Sequence, residues 1–407
     1  MWKLRGRSSG AADKIAEDCI GAWQGDFKVI LQEAWKCNLH SCVDSSPLYL
    51  RVDEKELVAI GSHSGEVVLL ELDTGLDLWR IHLTDRVEAS PVVSWCGMCL
   101  LVASYNHNIY SLALASGAIV WQFATGGMVK CSPLVTRQGV FVGSYDRRMY
   151  RLTHSGKEVW SVQVSEGSIL ASPLILPSGH LAVATLDGVV AAVAVKDGTV
   201  QWRYTLGKPI FGTPLLSQGL LLVPSTDGCL ICIDNEGKEQ WRIATQGPVF
   251  SSPVISGANN SKGDDQLPSP ALVGDHGGSV TCITLDGKVA WRKDVGAAVA
   301  GAPDTQGGGL AVCTTRGDVV LLNSQKMGLE MGRLRLGGEV FSSPLLLGNR
   351  LVVGCRDSYL YCLNIIPEDE SKSNTTNMLE TGQVLGRERK SPDPYSPATE
   401  LAQLSQE

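Results

Sequence analysis

The stretch IFGTPLLSQGLLLVPSTDGCLICIDNEGKEQWRI, residues 210–243, decides the fold. Ile210 to Pro214 leads into Leu215-Leu216 and a Gln218-Gly219 turn. Leu220 to Val223 follows, then an Asp227-Gly228 turn, then Leu230 to Ile233. Glu236-Gly237 turns the chain once more before Gln240-Trp241-Arg242-Ile243. Short apolar runs broken by Asp-Gly and Glu-Gly read as four strands joined by tight hairpins, because such turns need the positive φ that glycine adopts without steric cost. One such sheet, roughly 41 residues of chain, cannot bury both its faces alone.

The same unit recurs along the chain. A small residue followed by proline appears as Ser46-Pro47, Ser90-Pro91, Ser132-Pro133, Ser172-Pro173, Thr213-Pro214, Ser252-Pro253, Ala302-Pro303 and Ser343-Pro344. Successive prolines are 44, 42, 40, 41, 39, 50 and 41 residues apart, and the long interval holds a polar Gly257 to Pro270 stretch that reads as a loop insertion. Tryptophan stands 12 or 13 residues before the proline, as Trp35, Trp79, Trp121, Trp160, Trp202, Trp241 and Trp291; the eighth slot is Gly332. A glycine lies four residues upstream of each slot from the second on: Gly75, Gly117, Gly156, Gly198, Gly237, Gly287 and Gly328. The periodic rings bury large area with one polar N–H and are expected to dock blade on blade. Radial stacking of such sheets gives an all-β, eight-bladed β-propeller of four-stranded antiparallel blades.

The strand around Trp35 precedes the first proline strand, and no Trp-slot strand follows the last hairpin, which ends at Tyr361-Cys362-Leu363. The N-terminal strand is therefore expected to complete the last blade, so that no edge stays open. The organisation reads as residues 1–34 a linker or docking segment, 35–364 the propeller and 365–407 a disordered polar tail.

Composition narrows the function. The 407 residues are 44% hydrophobic and 19% charged, enough apolar material for an extensive core. Thirty-five basic against 42 acidic residues give a net charge of −7, which argues against a general nucleic-acid binder. No apolar run approaches about 18 residues, so no membrane partner is expected. The basic Met1 to Arg7 is followed by no apolar run, and Asp13, Glu17 and Asp18 spoil a transit peptide; the expected compartment is cytoplasmic, with the mitochondrial matrix a lesser alternative. The 12 cysteines are then expected as reduced thiols.

Asp73-Thr74-Gly75 with Trp79, and Val142-Gly143-Ser144 with Asp146, Tyr150 and Leu152, resemble the repeat of pyrroloquinoline-quinone-type propellers, which form eight blades. Asn38 to Asp44, Leu206 to Pro209, Gly337 to Pro344 and Gly354 to Asp357 resemble more closely the C-terminal propeller of the acyl-CoA synthetase family member 4 family, also called beta-alanine-activating enzymes or aminoadipate-semialdehyde dehydrogenases. In that family an adenylate-forming module and a phosphopantetheine carrier domain precede the propeller. The resemblance implies an acid–thiol ligase as the parent activity. This chain has neither a Gly-rich Ser/Thr-Gly-Thr phosphate loop nor a carrier Asp-Ser-Leu site, so the expectation is a non-catalytic scaffold or recognition part. Its implied partner is a protein or carrier domain, with an adenylation module on a longer chain one such partner. The alternatives are a free-standing protein-binding adaptor and a quinone-dependent dehydrogenase. The last is disfavoured because the chain lacks an adjacent cysteine pair and an export signal.

No catalytic residue, metal or cofactor is expected. Cys96/Cys99 and Cys229/Cys232 have metal-type spacing but fall in the second and fifth repeats, far apart on a ring, and read as buried thiols. Gly61-Ser62-His63-Ser64-Gly65 is off-register for a nucleophile elbow and sits between two strands. His107 and His276, in equivalent turns, are expected to be exposed. The residues three before each proline should open the innermost strands at the channel mouth: Asp44, Glu88, Lys130, Leu170, Phe211, Phe250, Ala300 and Phe341. A mouth half charged and half apolar suits an amphipathic ligand such as a peptide or an acyl-pantetheine arm, with Asp44, Glu88, Lys130, Phe211, Phe250 and Phe341 as the binding candidates. Alternatively, the three phenylalanines plug the channel as core.

Overall fold

A computed structural model describes residues 3–5, 28–256 and 269–368. Eight antiparallel sheets follow one another along the chain as blades. Blade 1 contains Leu48–Val52, Lys55–Gly61, Glu66–Glu71 and Asp77–His82. Blades 2 to 7 repeat the pattern, ending on the outer strands Ile119–Ala124, Glu158–Gln163, Val200–Thr205, Glu239–Ala244, Val289–Asp294 and Leu329–Arg335. Blade 8 takes Leu345–Leu347, Arg350–Gly354 and Tyr359–Pro367 from the C-terminal side. Its outer strand is the N-terminal Val29–Asn38, with Trp35 opposite Cys362. The ring is thus closed by the strand the repeat arithmetic singles out. The closing pair runs out to Val29 and Pro367, beyond positions 35 and 364. A further strand, Lys3–Arg5, pairs with the innermost strand of blade 1, Leu4 facing Leu50. The rest of the proposed docking segment, the loop insertion up to Pro268 and the tail beyond Glu368 lie outside the described residues.

The core is divided into eight parts, each between two neighbouring blades. Leu50, Ala59, Val67 and Leu69 of blade 1 pack on Leu100, Val102, Tyr110 and Leu112 of blade 2. Leu351, Val353 and Leu363 of blade 8 pack on Ala311, Val319 and Leu321 of blade 7. Central strands are buried on both faces, as in Gly139–Gly143, which explains their continuous apolar runs.

Both periodic marks have a physical role at the blade junctions. The outer strand slips register immediately before each tryptophan slot. This recurrent bulge re-aims the side chain that follows it. The ring then stands on the glycine of the next blade. A Cβ on Gly75 would lie 2.6 Å from the Trp35 ring, and one on Gly117 2.7 Å from that of Trp79. Both glycines also have positive φ, so two requirements exclude any side chain. The indole N–H groups of Trp35, Trp79, Trp121, Trp160, Trp202 and Trp241 donate to carbonyls of that same turn, at 2.8 to 3.2 Å.

The ring missing at Gly332 follows from closure. Blade 8 has no outer hairpin, because its two outer strands come from opposite ends of the chain, so no turn glycine exists there to receive an indole. Val29 of the closing strand fills the space: a Cβ on Gly332 would lie 2.5 Å from its carbonyl oxygen.

The residue before each proline forms an inner belt. The amide of Ser132 donates to Ser172 Oγ, that of Ser172 to Thr213 Oγ1 and that of Thr213 to Ser252 Oγ. Ala302 donates to Ser343 Oγ and, across the closure, Ser343 to Ser46 Oγ. A hydroxyl at this place ties five of the blades to their predecessors, which accounts for Ser or Thr before the proline there; Ala302 offers none.

Candidate functional site

Asp44, Glu88, Lys130, Leu170, Phe211, Phe250, Ala300 and Phe341 all line one cavity of about 410 Å3 at the end of the channel, above the hydroxyls of the inner belt. The spacing rule thus brings all six binding candidates together. The seven tryptophans belong to the blade junctions described above.

A second ring, missed in the sequence, alternates with the first. It consists of the residue that follows the second strand's closing Ser, Thr, Asp or Cys in each blade: His63, Tyr105, Tyr145, Leu186, Thr226, His276, Thr315 and Arg356. Each donates its amide to a carbonyl two residues before a first-ring residue, as His63 to Cys42 and Arg356 to Glu339. That shared bond fixes each second-ring side chain beside the first ring. Counting from the second-strand turn in every repeat is the signal that would have found them.

Over the charged half, the two rings form a continuous chain of contacts. The Arg356 guanidinium lies 3.5 Å from the centre of the Phe341 ring. It holds Asp44 in a fork, Nε to Oδ1 at 2.9 Å and Nη2 to Oδ2 at 2.7 Å, and meets Glu339 at 3.3 Å. His63 Nε2 stands between two carboxylates, 3.2 Å from Asp44 Oδ2 and 3.1 Å from Glu88 Oε1. Its N–H aligns squarely with neither oxygen, so the contact is a shared electrostatic one. The Tyr105 phenol interacts with Glu88 and helps to lower its pKa. Lys130 Nζ rests 4.4 Å from the Tyr105 ring centre and 5.1 Å from that of Tyr145, with Glu88 Oε2 at 3.9 Å.

Pairing sets the protonation states. Asp44 first and Glu88 second raise the His63 pKa to about 9 against the opposing effect of burial, so its imidazole is a cation at neutral pH. Burial pushes Asp44 and Glu88 upward, but His63 with Arg356, and His63 with Tyr105 and Lys130, outweigh it and hold both below their ordinary values. Burial, then Glu88, drives the Tyr105 phenol well above its usual range. The ligand atoms of Asp44, His63 and Glu88 lie within 4.8 Å of one another, a spacing a metal ion could bridge. Arg356, Lys130 and the His63 proton already compensate both carboxylates, so the cluster is balanced without an ion.

The other half of the mouth is aromatic. Phe211 and Phe250 pack at 5.0 Å between ring centres, and His276 lies 4.3 Å from Phe250. His276 lines the cavity, so its expected exposure is corrected: the first ring's Phe250 gives its imidazole a flat surface to cover. Burial lowers its pKa and keeps it neutral. His107 is exposed.

In the Gly61 to Gly65 turn, Ser62 and Ser64 hydroxyls share a 2.6 Å hydrogen bond and both reach the Leu39 carbonyl, while the His63 ring goes to carboxylates. No serine–histidine pair forms there. The described cysteines are free thiols. Cys232 is buried as expected, but Cys96 is exposed on a turn and Cys99 and Cys229 are half-buried, because these lie at strand ends and not in central strands.

Comparison with known proteins places this geometry. Among solved structures, BamB from Moraxella catarrhalis superposes with a TM-score of 0.66 at 19% identity, over 82% of this chain and 98% of that one. The computationally designed Ika8 protein superposes with a TM-score of 0.68 at 13% identity. Both likenesses concern the fold. In sequence, the beta-alanine-activating enzyme of Drosophila melanogaster is 32% identical over 82% of this chain and 35% of its own length. That of Danio rerio is 32% identical over 89% of this chain and 33% of its own. The chain therefore spans about a third of these relatives. The family model for the beta-propeller of beta-alanine-activating enzyme matches residues 39–365, nearly the whole ring, and on that match the chain belongs to this propeller family.

Proposed function

We propose that this propeller is the non-catalytic recognition domain of a carboxylate-activating, adenylate-forming system of the cytoplasm. In this reading it holds a protein or carrier-domain segment at the channel mouth while adenylation and pantetheine loading occur on another module. The observation that carries the reading is the mouth itself, a cavity of about 410 Å3 in a chain of this family, lined by charge on one side and aromatic rings on the other. Such sites on a rigid scaffold serve recognition. A nucleic-acid or membrane partner is not part of this reading.

A second reading, an adaptor that stands alone, draws support from BamB, where a propeller of this fold accounts for 98% of the chain. Isolation of the native polypeptide with a propeller-directed antibody separates the two. A species far above 43.5 kDa that yields adenylation-module peptides supports the first; one near 43.5 kDa overturns it in favour of the second. The mouth is tested by replacing Phe211, Phe250 and Phe341 together with Ser. Loss of the co-purifying partner from a folded variant is expected; unchanged capture would show that the rings act only as core.

A further inference from the structure

Lys130 differs from the other cations of the mouth. Arg356 is held in a fork by Asp44, and His63 is shared by Asp44 and Glu88. Lys130 Nζ has Glu88 Oε2 at 3.9 Å, beyond hydrogen-bond length, and otherwise only the faces of Tyr105 and Tyr145. Among the described residues its ammonium donors are therefore unfilled. Its side chain is nonetheless only 22% exposed. A half-buried cation whose donors lack an acceptor favours an anionic ligand. The pairing agrees: Asp44, Glu88 and Glu339 face His63, Lys130 and Arg356, and of the three cations Lys130 is the most loosely paired. Glu339, on the rim and 57% exposed, screens Arg356 and not Lys130.

The neighbourhood limits what the anion can be. Glu88 beside Lys130 would repel a phosphate dianion, whereas a monoanion is repelled less and matches the single loosely paired ammonium. From Lys130 the lining passes through Leu170 to Phe211 and Phe250, with neutral His276 covering the far side. We infer that the channel mouth binds a carboxylate bearing an apolar or aromatic tail, the carboxylate on Lys130 and the tail along Leu170, Phe211 and Phe250. This rests on the reading of the mouth as a recognition site and adds the chemistry of what is recognised. The carboxylate belongs either to a free organic acid or to the C-terminus of a peptide.

Calorimetric titration of the full chain with 3-phenylpropionate, and with acetyl-Gly-Gly-Phe carrying a free C-terminus, tests it. Binding of either supports the inference, and the tighter of the two identifies the source. The neutral 3-phenylpropanamide should bind at least about tenfold more weakly than the acid, the value of one charge-assisted hydrogen bond. Lys130→Met should lose a similar factor for the acid with an unchanged melting temperature, and Lys130→Arg should recover most of it. Equal affinity for acid and amide, an undiminished Lys130→Met variant, or no binding of either carboxylate would overturn the inference. Two outcomes separate this from the wider reading. If the carboxylates fail to bind but the triple phenylalanine variant still loses its partner, recognition stands and the ligand class falls. If a carboxylate binds but that variant keeps its partner, the mouth is a small-ligand site and the partner docks elsewhere.

Discussion

At the residue scale, His63 shows how a turn residue acquires a charge through its neighbours. Alone it would titrate at 6.5; Asp44 and Glu88 raise it to about 9 in the folded protein. A group whose folded pKa exceeds its unfolded value stabilises fully below the unfolded value and loses that contribution as pH rises through the folded one. The melting temperature should therefore fall between pH 6.5 and about 9, with Arg356 and Lys130 holding the two carboxylates charged throughout. In His63→Gln that slope should flatten; a melting profile as steep as that of the wild type would remove His63 as its source. Asp44 and Glu88 act in the opposite sense, adding stability above their unfolded pKa values that is lost on acidification. The inner belt offers a second test. Thr213→Ala deprives the Ser172 amide of its acceptor and should cost about 1 kcal/mol in urea unfolding, whereas Thr213→Ser should be close to neutral.

At the scale of the element, the junction between blades is a ring standing on a glycine. Trp79 is the most buried of the seven slot tryptophans, 9% exposed, with its N–H on the Leu114 carbonyl at 2.8 Å. Trp79→Ala should cost about 3–5 kcal/mol by chemical denaturation. Gly117→Ala approaches the same junction from the other side, where the new Cβ would press on the Trp79 ring in a backbone conformation unfavourable to alanine. A cost of roughly 1–3 kcal/mol is expected. Combining the two should cost less than their sum, because the clash vanishes with the ring. Full additivity would mean that the two residues do not share a junction.

For the whole molecule, closure makes the two ends of the ring interdependent. Removing residues 1–38 deletes the outer strand of blade 8 and bares the edge of Tyr359–Pro367. Amide exchange in Arg350–Gly354 and Tyr359–Pro367 should then rise first, far from the cut in sequence, and the exposed edge should promote association. If exchange rises first in blade 1, whose chain adjoins the deletion, the closing strand does not set the stability of blade 8.

Much of this was legible because it repeats. Eight small-residue–proline pairs, seven tryptophans and their glycines determined the blade count, the strand order and the closing strand. The physical reason is that each blade faces the same packing problem and solves it with the same residues. The first ring of the mouth followed from that spacing. The tertiary structure alone decided which marks meet. A glycine four residues before a tryptophan serves the ring of the preceding blade, not its own, and the slot at Gly332 is empty of a ring because closure removes the hairpin that would receive it. The second ring meets the first only where the blades converge. Arg356 and Asp44 are 312 residues apart and share a fork, and His63 lies between carboxylates of two blades. Periodicity reports what every blade must do to pack, whereas the charge pattern of the mouth arises where side chains from different blades converge on one axis.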